Sequence, residues 1–374
     1  MRILFFSSHH GVGASETLWL QSAINLKSQG HDVTSIINWH RRDPRRLADL
    51  KLAGIPATYV NAKAVSGRFV GRFLPRLFSH GAWEKACAKR LIRHTSPDLI
   101  VFSEGNDISA LPFMELAMGM EVPFQVVTHG LNEAEWPHDN ITDRMRTAFQ
   151  AARRTFWVAR RNIQDFEYHI GAALGNAEIV RNPCNVDRHV AFQWPSSSTP
   201  LRLACVARLQ TRPKGHDLLL QALAQPQWRD RSLCLTFFGD GENRRGLERL
   251  AAFLGISDRI QFAGHVDSIH QIWRDHHMIA QPSRNEGMPV SLVEALLCGR
   301  PALATDVAGH AELITDGENG FLASAATANH IAKALERAWQ HRDEWCKMGE
   351  IAYGRIRQML PEDPAAAFAK QIIC

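Results

Sequence analysis

The sequence predicts an α/β protein of two domains, each built on a parallel sheet. Three observations carry that expectation. The chain has 374 residues, more than one hydrophobic core normally supports. Short apolar runs alternate with helical patterns along most of its length, which is how parallel strands covered on both faces read. Near the middle, residues 181–187 and 194–200 are dense in proline and serine with no apolar period, and read as a connector. We place the first domain at residues 1–187 and the second at residues 188–359.

Composition narrows the function classes. Hydrophobic residues at 45% and charged residues at 22% describe a globular chain rather than a disordered one. A net charge of +5 permits anionic substrates or an acidic membrane surface, and does not call for a nucleic-acid partner. Seven cysteines without a C-x-x-C pair indicate neither a disulfide framework nor a zinc site. No run of ~18 apolar residues occurs, and the start does not resemble a signal peptide, so the cytoplasm is the expected compartment.

Taken in order, residues 2–7 read as a buried strand, followed by a turn holding Gly11 and Gly13 and a periodic helix to about residue 29. This is not a dinucleotide fingerprint. Glu16 stands where the third glycine belongs, and no acidic residue closes the second strand, residues 32–37. Further strands are expected at residues 57–60, 99–103, 124–128, 155–158 and 177–180. Residues 66–80 (SGRFVGRFLPRLFSH) interleave Arg68, Arg72 and Arg76 with Phe69, Phe73, Leu77 and Phe78. They read either as a basic amphipathic segment touching an anionic membrane or as a loop whose aromatics pack inward. His129 follows a strand at its carboxyl end, where it is expected to face a ligand rather than the core, and Glu104 follows the strand before it. Arg160 and Arg161 read as a solvated helix start or as a basic pair able to touch a phosphate.

In the second half, strands are expected at residues 203–207, 233–238, 261–264 and 277–281, and an amphipathic helical stretch at residues 329–358. The last of these strands runs into Glu286-Gly287-Met288-Pro289 and then a short helix, residues 290–298, closed by Gly299. Pro289 suits the first helical position. Free N–H groups and the positive end of the helix dipole make such a start an anion site. Glu286 lies in the loop and Glu294 about one turn inside the helix, so a carboxylate flanks the site on either side. Each could accept hydroxyl hydrogen bonds, one from a sugar and one from a ribose.

Glu286 and Glu294 form an E-x7-E pair. With Thr305-Asp306-Val307-Ala308-Gly309 and the run from Glu312 through Gly320, this region resembles the donor site of retaining glycosyltransferases of family 4. The resemblance is strong over residues 201–338 and weaker before them. It implies the GT-B architecture: two Rossmann-like domains whose parallel sheets face a cleft, with a final helix, about residues 360–374, crossing back to the first domain. It also implies a nucleotide-sugar donor, a glycan or lipid-linked acceptor and no cofactor.

Site roles follow from the same resemblance. Arg208 and Lys214 match the cations that clamp the donor diphosphate, where fixed positive charge stabilises a leaving group gaining negative charge. Gly239 and Gly241 match a loop near the base and ribose. Gly287, Met288, Pro289 and Val290 supply the helix start, Glu286 the sugar hydroxyls and Glu294 the ribose. In the first domain His129 matches a residue orienting the donor sugar, and Gly11, Gly13 and Glu104 fall on the acceptor side. A UDP-sugar is favoured over GDP- or ADP-sugars, although backbone reading of the base leaves little side-chain signature. The chain has no Asp-x-Asp, which fits a metal-independent enzyme. A nucleotide-sugar epimerase or hydrolase, and a non-catalytic sugar-nucleotide-binding protein, are the rival readings.

Overall fold

A computed structural model of the chain describes residues 1–8, 14–38, 44–60, 80–105, 108–188, 193–196 and 200–374. The chain divides into two units, Met1–Pro183 with Glu362–Cys374, and Cys184–Pro361.

The first unit holds strands β1 (Arg2–Ser7), β2 (Asp32–Asn38), β3 (Ala57–Val60), β4 (Leu99–Glu104), β5 (Phe124–Thr128), β6 (Thr155–Trp157) and β7 (Ala177–Ile179). They form one sheet in the order β3-β2-β1-β4-β5-β6-β7, every pairing parallel. Strands β4 and β5 are buried at every residue, as a sheet packed on both faces requires. Chain order reverses between β1 and β4, and at such a switch point the carboxyl ends of the strands leave a crevice for ligands.

The last helix, Pro364–Ile373, belongs to this unit. Asp363 caps its first turn by accepting from the Ala366 N–H, which fixes where the helix starts. Ser22 Oγ, on the helix Ala14–Ser28, donates to Ala365 O at 2.9 Å, and Arg154 Nη1 donates to Gln371 O at 2.8 Å. Phe368 meets Phe156 edge to face at 5.0 Å.

The second unit holds β8 (Leu201–Val206), β9 (Leu233–Phe238), β10 (Ile260–Gly264), β11 (Met278–Gln281), β12 (Ala302–Thr305) and β13 (Gly320–Ala323). Their order is β10-β9-β8-β11-β12-β13, again all parallel, so the switch point lies between β8 and β11. The four-residue strands β12 and β13 are not evident as strands in the sequence. Ala302-Leu303-Ala304-Thr305 has little β-propensity of its own, and its strand form follows from full burial between neighbours. The expected helical stretch of residues 329–358 is two helices, Ala328–Gln340 and Trp345–Met359, separated by the 3-10 turn Arg342–Glu344. Trp345, fully buried, donates its indole N–H to Ala338 O at 2.9 Å and so folds the second helix onto the first.

Buried Arg300 ties this unit's strand ends together. Its guanidinium donates to the carbonyls of His276 (2.9 Å), Cys298 (2.6 Å), Gln193 (2.8 Å) and Trp273. Burial lowers its pKa to about 10, which still leaves it charged at neutral pH.

We expect Phe368→Ala, which empties a fully buried ring site, to lower unfolding stability by about 3–5 kcal/mol in urea denaturation. A loss below about 1 kcal/mol would mean that the last helix contributes little to the first unit.

Candidate functional site

The switch point of the second unit brings two loops together, one after β8 and one after β11. Their contact is backbone on backbone. Gly215 adopts φ +66°, and a Cβ there would lie 1.9 Å from Pro282 O, so only glycine fits. The N–H groups of Arg284 and Asn285 both donate to Pro213 O, at 2.8 and 3.2 Å. The Arg284 guanidinium then locks the pair. It forms a two-pronged ion pair with Asp217 at 2.8 and 2.7 Å and donates to Thr211 O at 2.7 Å. Sequence reasoning missed Arg284, because its partner is 67 residues away and no local pattern marks it.

That frame fixes Lys214 and Glu286. Lys214 Nζ lies 2.6 Å from Glu286 Oε1, and Gln281 Nε2 (3.1 Å) and Ser283 Oγ (2.8 Å) donate to the same oxygen. Glu286 is 6% exposed. Burial pushes its carboxyl up, but the charges of Lys214 and His310 and the hydrogen bonds from Lys214 and Ser283 together outweigh burial and hold it below the usual carboxylate range. His310 packs fully buried nearby, with Nδ1 2.7 Å from Thr305 O, and burial lowers its pKa. Lys214 is the strongest of the influences that keep Glu286 ionised.

The helix after this loop runs Val290–Leu297. Pro289 is its N-cap, not its first helical residue as the sequence suggested. Its ψ of 122° is extended, and its carbonyl accepts from the N–H groups of Leu292 and Val293 at 3.2 Å each. The N–H groups of Val290 and Ser291, both half-buried, have no backbone partner among the described residues. These two are the donors that the helix start presents. Glu294, one turn in, is 4% exposed and accepts from the Asn185 N–H at 3.0 Å. Burial pushes its carboxyl up to about 7, with the Asn185 N–H pulling weakly the other way.

Gly239 and Gly241 seat the Arg208 turn. A Cβ on Gly239, at φ +120°, would lie 2.3 Å from Ala207 O, and one on Gly241 would lie 2.5 Å from Leu209 O. Leu209 N donates to Asp240 O at 3.1 Å, and Asn243 N returns a bond to Leu209 O at 3.0 Å. These glycines therefore have a packing reason inside the unit, whatever ligand the loop meets. Arg208 is exposed; its carbonyl accepts from the Gln210 N–H at 2.7 Å, and its guanidinium has no hydrogen-bond or ion-pair partner among the described residues.

In the first unit, Glu104 is fully buried. Its carboxylate accepts from the Ala110 N–H at 2.7 Å and Ser8 Oγ at 2.6 Å, which anchors the start of the helix Leu111–Gly119. His129 is 8% exposed, with Nδ1 3.1 Å from Asn182 Oδ1 and Nε2 3.4 Å from Ser103 Oγ. Glu16 is also buried and accepts from Ser7 Oγ and the Trp19 indole N–H. Gly11, Gly13 and residues 66–79 lie outside the described residues, as does the His80 side chain. No helix among the described residues is long and apolar enough to cross a membrane.

Comparisons with known proteins bear on this arrangement. Residues 200–341 match the family model described as glycosyl transferases group 1. The chain is 29% identical over 161 residues to the lipopolysaccharide core biosynthesis glycosyltransferase LpsE of Rhizobium meliloti, covering 42% of this chain and 46% of that one. It is 25% identical over 319 residues to the 2-deoxystreptamine glucosyltransferase of Streptomyces kanamyceticus, covering 76% and 82%. Five curated relatives, LpsE among them, are matched over only 15–46% of their own length. Among solved structures, Anabaena Alr3699/HepE in complex with UDP superposes with a TM-score of 0.74 at 18% identity, covering 100% of this chain and 98% of that one. The chain thus has the GT-B fold of two parallel-sheet Rossmann-like units, and its second unit is similar in sequence to the group 1 glycosyl transferases.

Proposed function

We propose that the chain is a retaining, metal-independent glycosyltransferase that moves a sugar from a nucleotide-sugar donor, a UDP-sugar by preference, to a hydroxyl of a glycan or lipid-linked acceptor in polysaccharide or glycolipid biosynthesis. The observation that carries this reading is the Lys214–Glu286 pair, 2.6 Å apart, beside a helix start at the switch point of a parallel sheet. A half-buried cation, a buried carboxylate and free N–H donors together suit a sugar joined to a diphosphate.

In this reading the diphosphate takes Lys214 and Arg208 together with the N–H groups of Val290 and Ser291. Drawing Lys214 onto the phosphates frees the Glu286 carboxylate to accept from the sugar's hydroxyls. Glu294 accepts from the ribose, and His129, Gly11 and Gly13 are assigned to the sugar and the acceptor. The acceptor oxygen bonds to the anomeric carbon on the face from which the diphosphate leaves. The departing phosphate oxygen takes the acceptor's proton, and no enzyme nucleophile enters. Arg208 and Lys214 stabilise the charge that grows on the leaving diphosphate, the role a metal ion plays elsewhere. The HepE complex with UDP and the lipopolysaccharide role named for LpsE support a UDP donor and a glycan acceptor.

A thermal-shift panel of UDP-, GDP- and ADP-sugars in EDTA tests the donor. UDP-sugars should raise the melting temperature most, since ligand at ~100 Kd adds about 2.7 kcal/mol to stability. No shift with any nucleotide sugar overturns the reading. With a competent acceptor, Glu294→Ala should mainly raise donor KM and Glu286→Gln should mainly lower kcat, each by roughly 10–100-fold. Unchanged kinetics in both variants removes the assignment. Donor isomerised or hydrolysed as fast without acceptor as with it points instead to an epimerase or hydrolase.

The raised Glu294 carboxyl has a stability signature. Its folded value of about 7 lies above the ordinary value of 4.5, so the folded state holds the proton more tightly between them. The contribution is full below ~4.5 and is lost as pH rises through about 7. Glu294→Gln should therefore gain stability relative to the parent between pH 5 and pH 8, by up to on the order of 3 kcal/mol. A pH-independent difference would show that Glu294 titrates normally.

A further inference from the structure

The carboxyl edge of the first unit's sheet carries an aromatic surface that the donor site does not use. Strand β5 ends at Thr128, which sits in register with Trp157 at the end of β6. The segment after β5 turns at Asn132, where the Glu135 N–H donates to Asn132 O at 3.1 Å, and then presents Trp136 with 66% of its surface in solvent. The helix after β6, Arg160–Ile170, lies against it.

Trp136 is exposed but held. Its indole meets the His169 ring at 5.1 Å and 67°, edge to face, and His169 is only 4% exposed. His169 Nε2 lies 3.4 Å from Glu133 O, and Arg161 Nη2 lies 3.6 Å from Glu133 Oε2. Two ties from one helix therefore fix the turn, and the indole is presented at a set angle. Phe253, in contrast, is 86% exposed at the end of its helix and makes no ring contact among the described residues. An ordinary exposed aromatic looks like that.

The rim decides the ligand class. Arg161 also binds Asp165 at 3.0 Å, so its charge is compensated by two carboxylates. Tyr168, 61% exposed, lies two turns along the same stripe of the helix as Arg161 and accepts from Gln164 Nε2 through its hydroxyl oxygen at 2.8 Å. A phosphate or an anionic lipid surface would need uncompensated cations, and Arg161, the cation tied to this turn, is compensated. A pyranose offers what the surface takes: a C–H face for the indole and edge hydroxyls for a carboxylate, a guanidinium and a phenol.

We infer that Trp136, with Glu133 and Arg161 paired beside its turn and Tyr168 next to His169 on the same helix, is a stacking platform for a neutral pyranose ring of the saccharide acceptor. Calling that saccharide the acceptor rests on the glycosyl-transfer reading, whereas the binding itself does not. The test is saturation-transfer NMR on the full chain with methyl α- and β-glycosides of glucose, galactose, mannose and N-acetylglucosamine, with no donor present. At least one glycoside should receive saturation, strongest on the ring protons of one face. Trp136→Ala should abolish it or weaken binding at least about 10-fold, and Trp136→Phe, with a smaller face, about 2–4-fold. Because the side chain is exposed, both variants should melt within about 1 °C of the parent. No transfer to any glycoside, or equal transfer in Trp136→Ala, overturns the platform. A positive glycoside result beside a negative nucleotide-sugar panel would keep the platform and discard glycosyl transfer, so the two failures are distinguishable.

Discussion

A buried glutamate and the half-buried lysine that pairs with it have to stay together. If either were removed from the Lys214–Glu286 pair, the other would be left charged in a place that water scarcely reaches, a loss of about 3–5 kcal/mol in comparable pairs. Gln281 and Ser283 also donate to the carboxylate oxygen that Lys214 holds, so the pair is part of a network rather than a single contact. Such a pair is poor economy for stability alone, and it is well suited to a site where an incoming anion can take the cation's place.

The loops around the pair exist to hold it. Gly215 lets one loop lie against Pro282 O, and Arg284 clamps both loops through Asp217 and Thr211. Gly239 and Gly241 do the same for the neighbouring turn that carries Arg208. Fixed backbone contacts of this kind keep charged side chains in one geometry before a ligand arrives, which is the condition for electrostatic stabilisation without reorganisation. The first unit shows a different balance. Glu16 and Glu104 are buried and engaged with neighbours, so these carboxylates build the scaffold, while Trp136 stands out from it.

Much of this was legible in the sequence because it depends on short-range patterns. Alternating apolar runs and helices gave the parallel sheets, and length gave two units. The Glu286-Gly287-Met288-Pro289 loop before a short helix marked an anion site, and Glu294 followed from helical spacing. Pro289 was placed one position too far into the helix, since a proline serves the cap and the first turn equally well in sequence and only ψ separates them. Strands β12 and β13 leave no signature in the sequence, because a four-residue strand owes its form to its neighbours rather than to its own residues.

By itself, then, the chain of residues determined which local elements form, which side chains carry charge, and where free N–H groups gather, because propensity, capping and periodicity act over a few positions. The tertiary structure alone decided that Lys214 meets Glu286 across 72 residues, that Arg284 locks onto Asp217, and that Glu104 is a buried anchor. It also decided that His169 steadies Trp136. Contacts of that range depend on how strands order themselves in a sheet and on how much water burial excludes, and neither quantity is written in any short stretch of sequence.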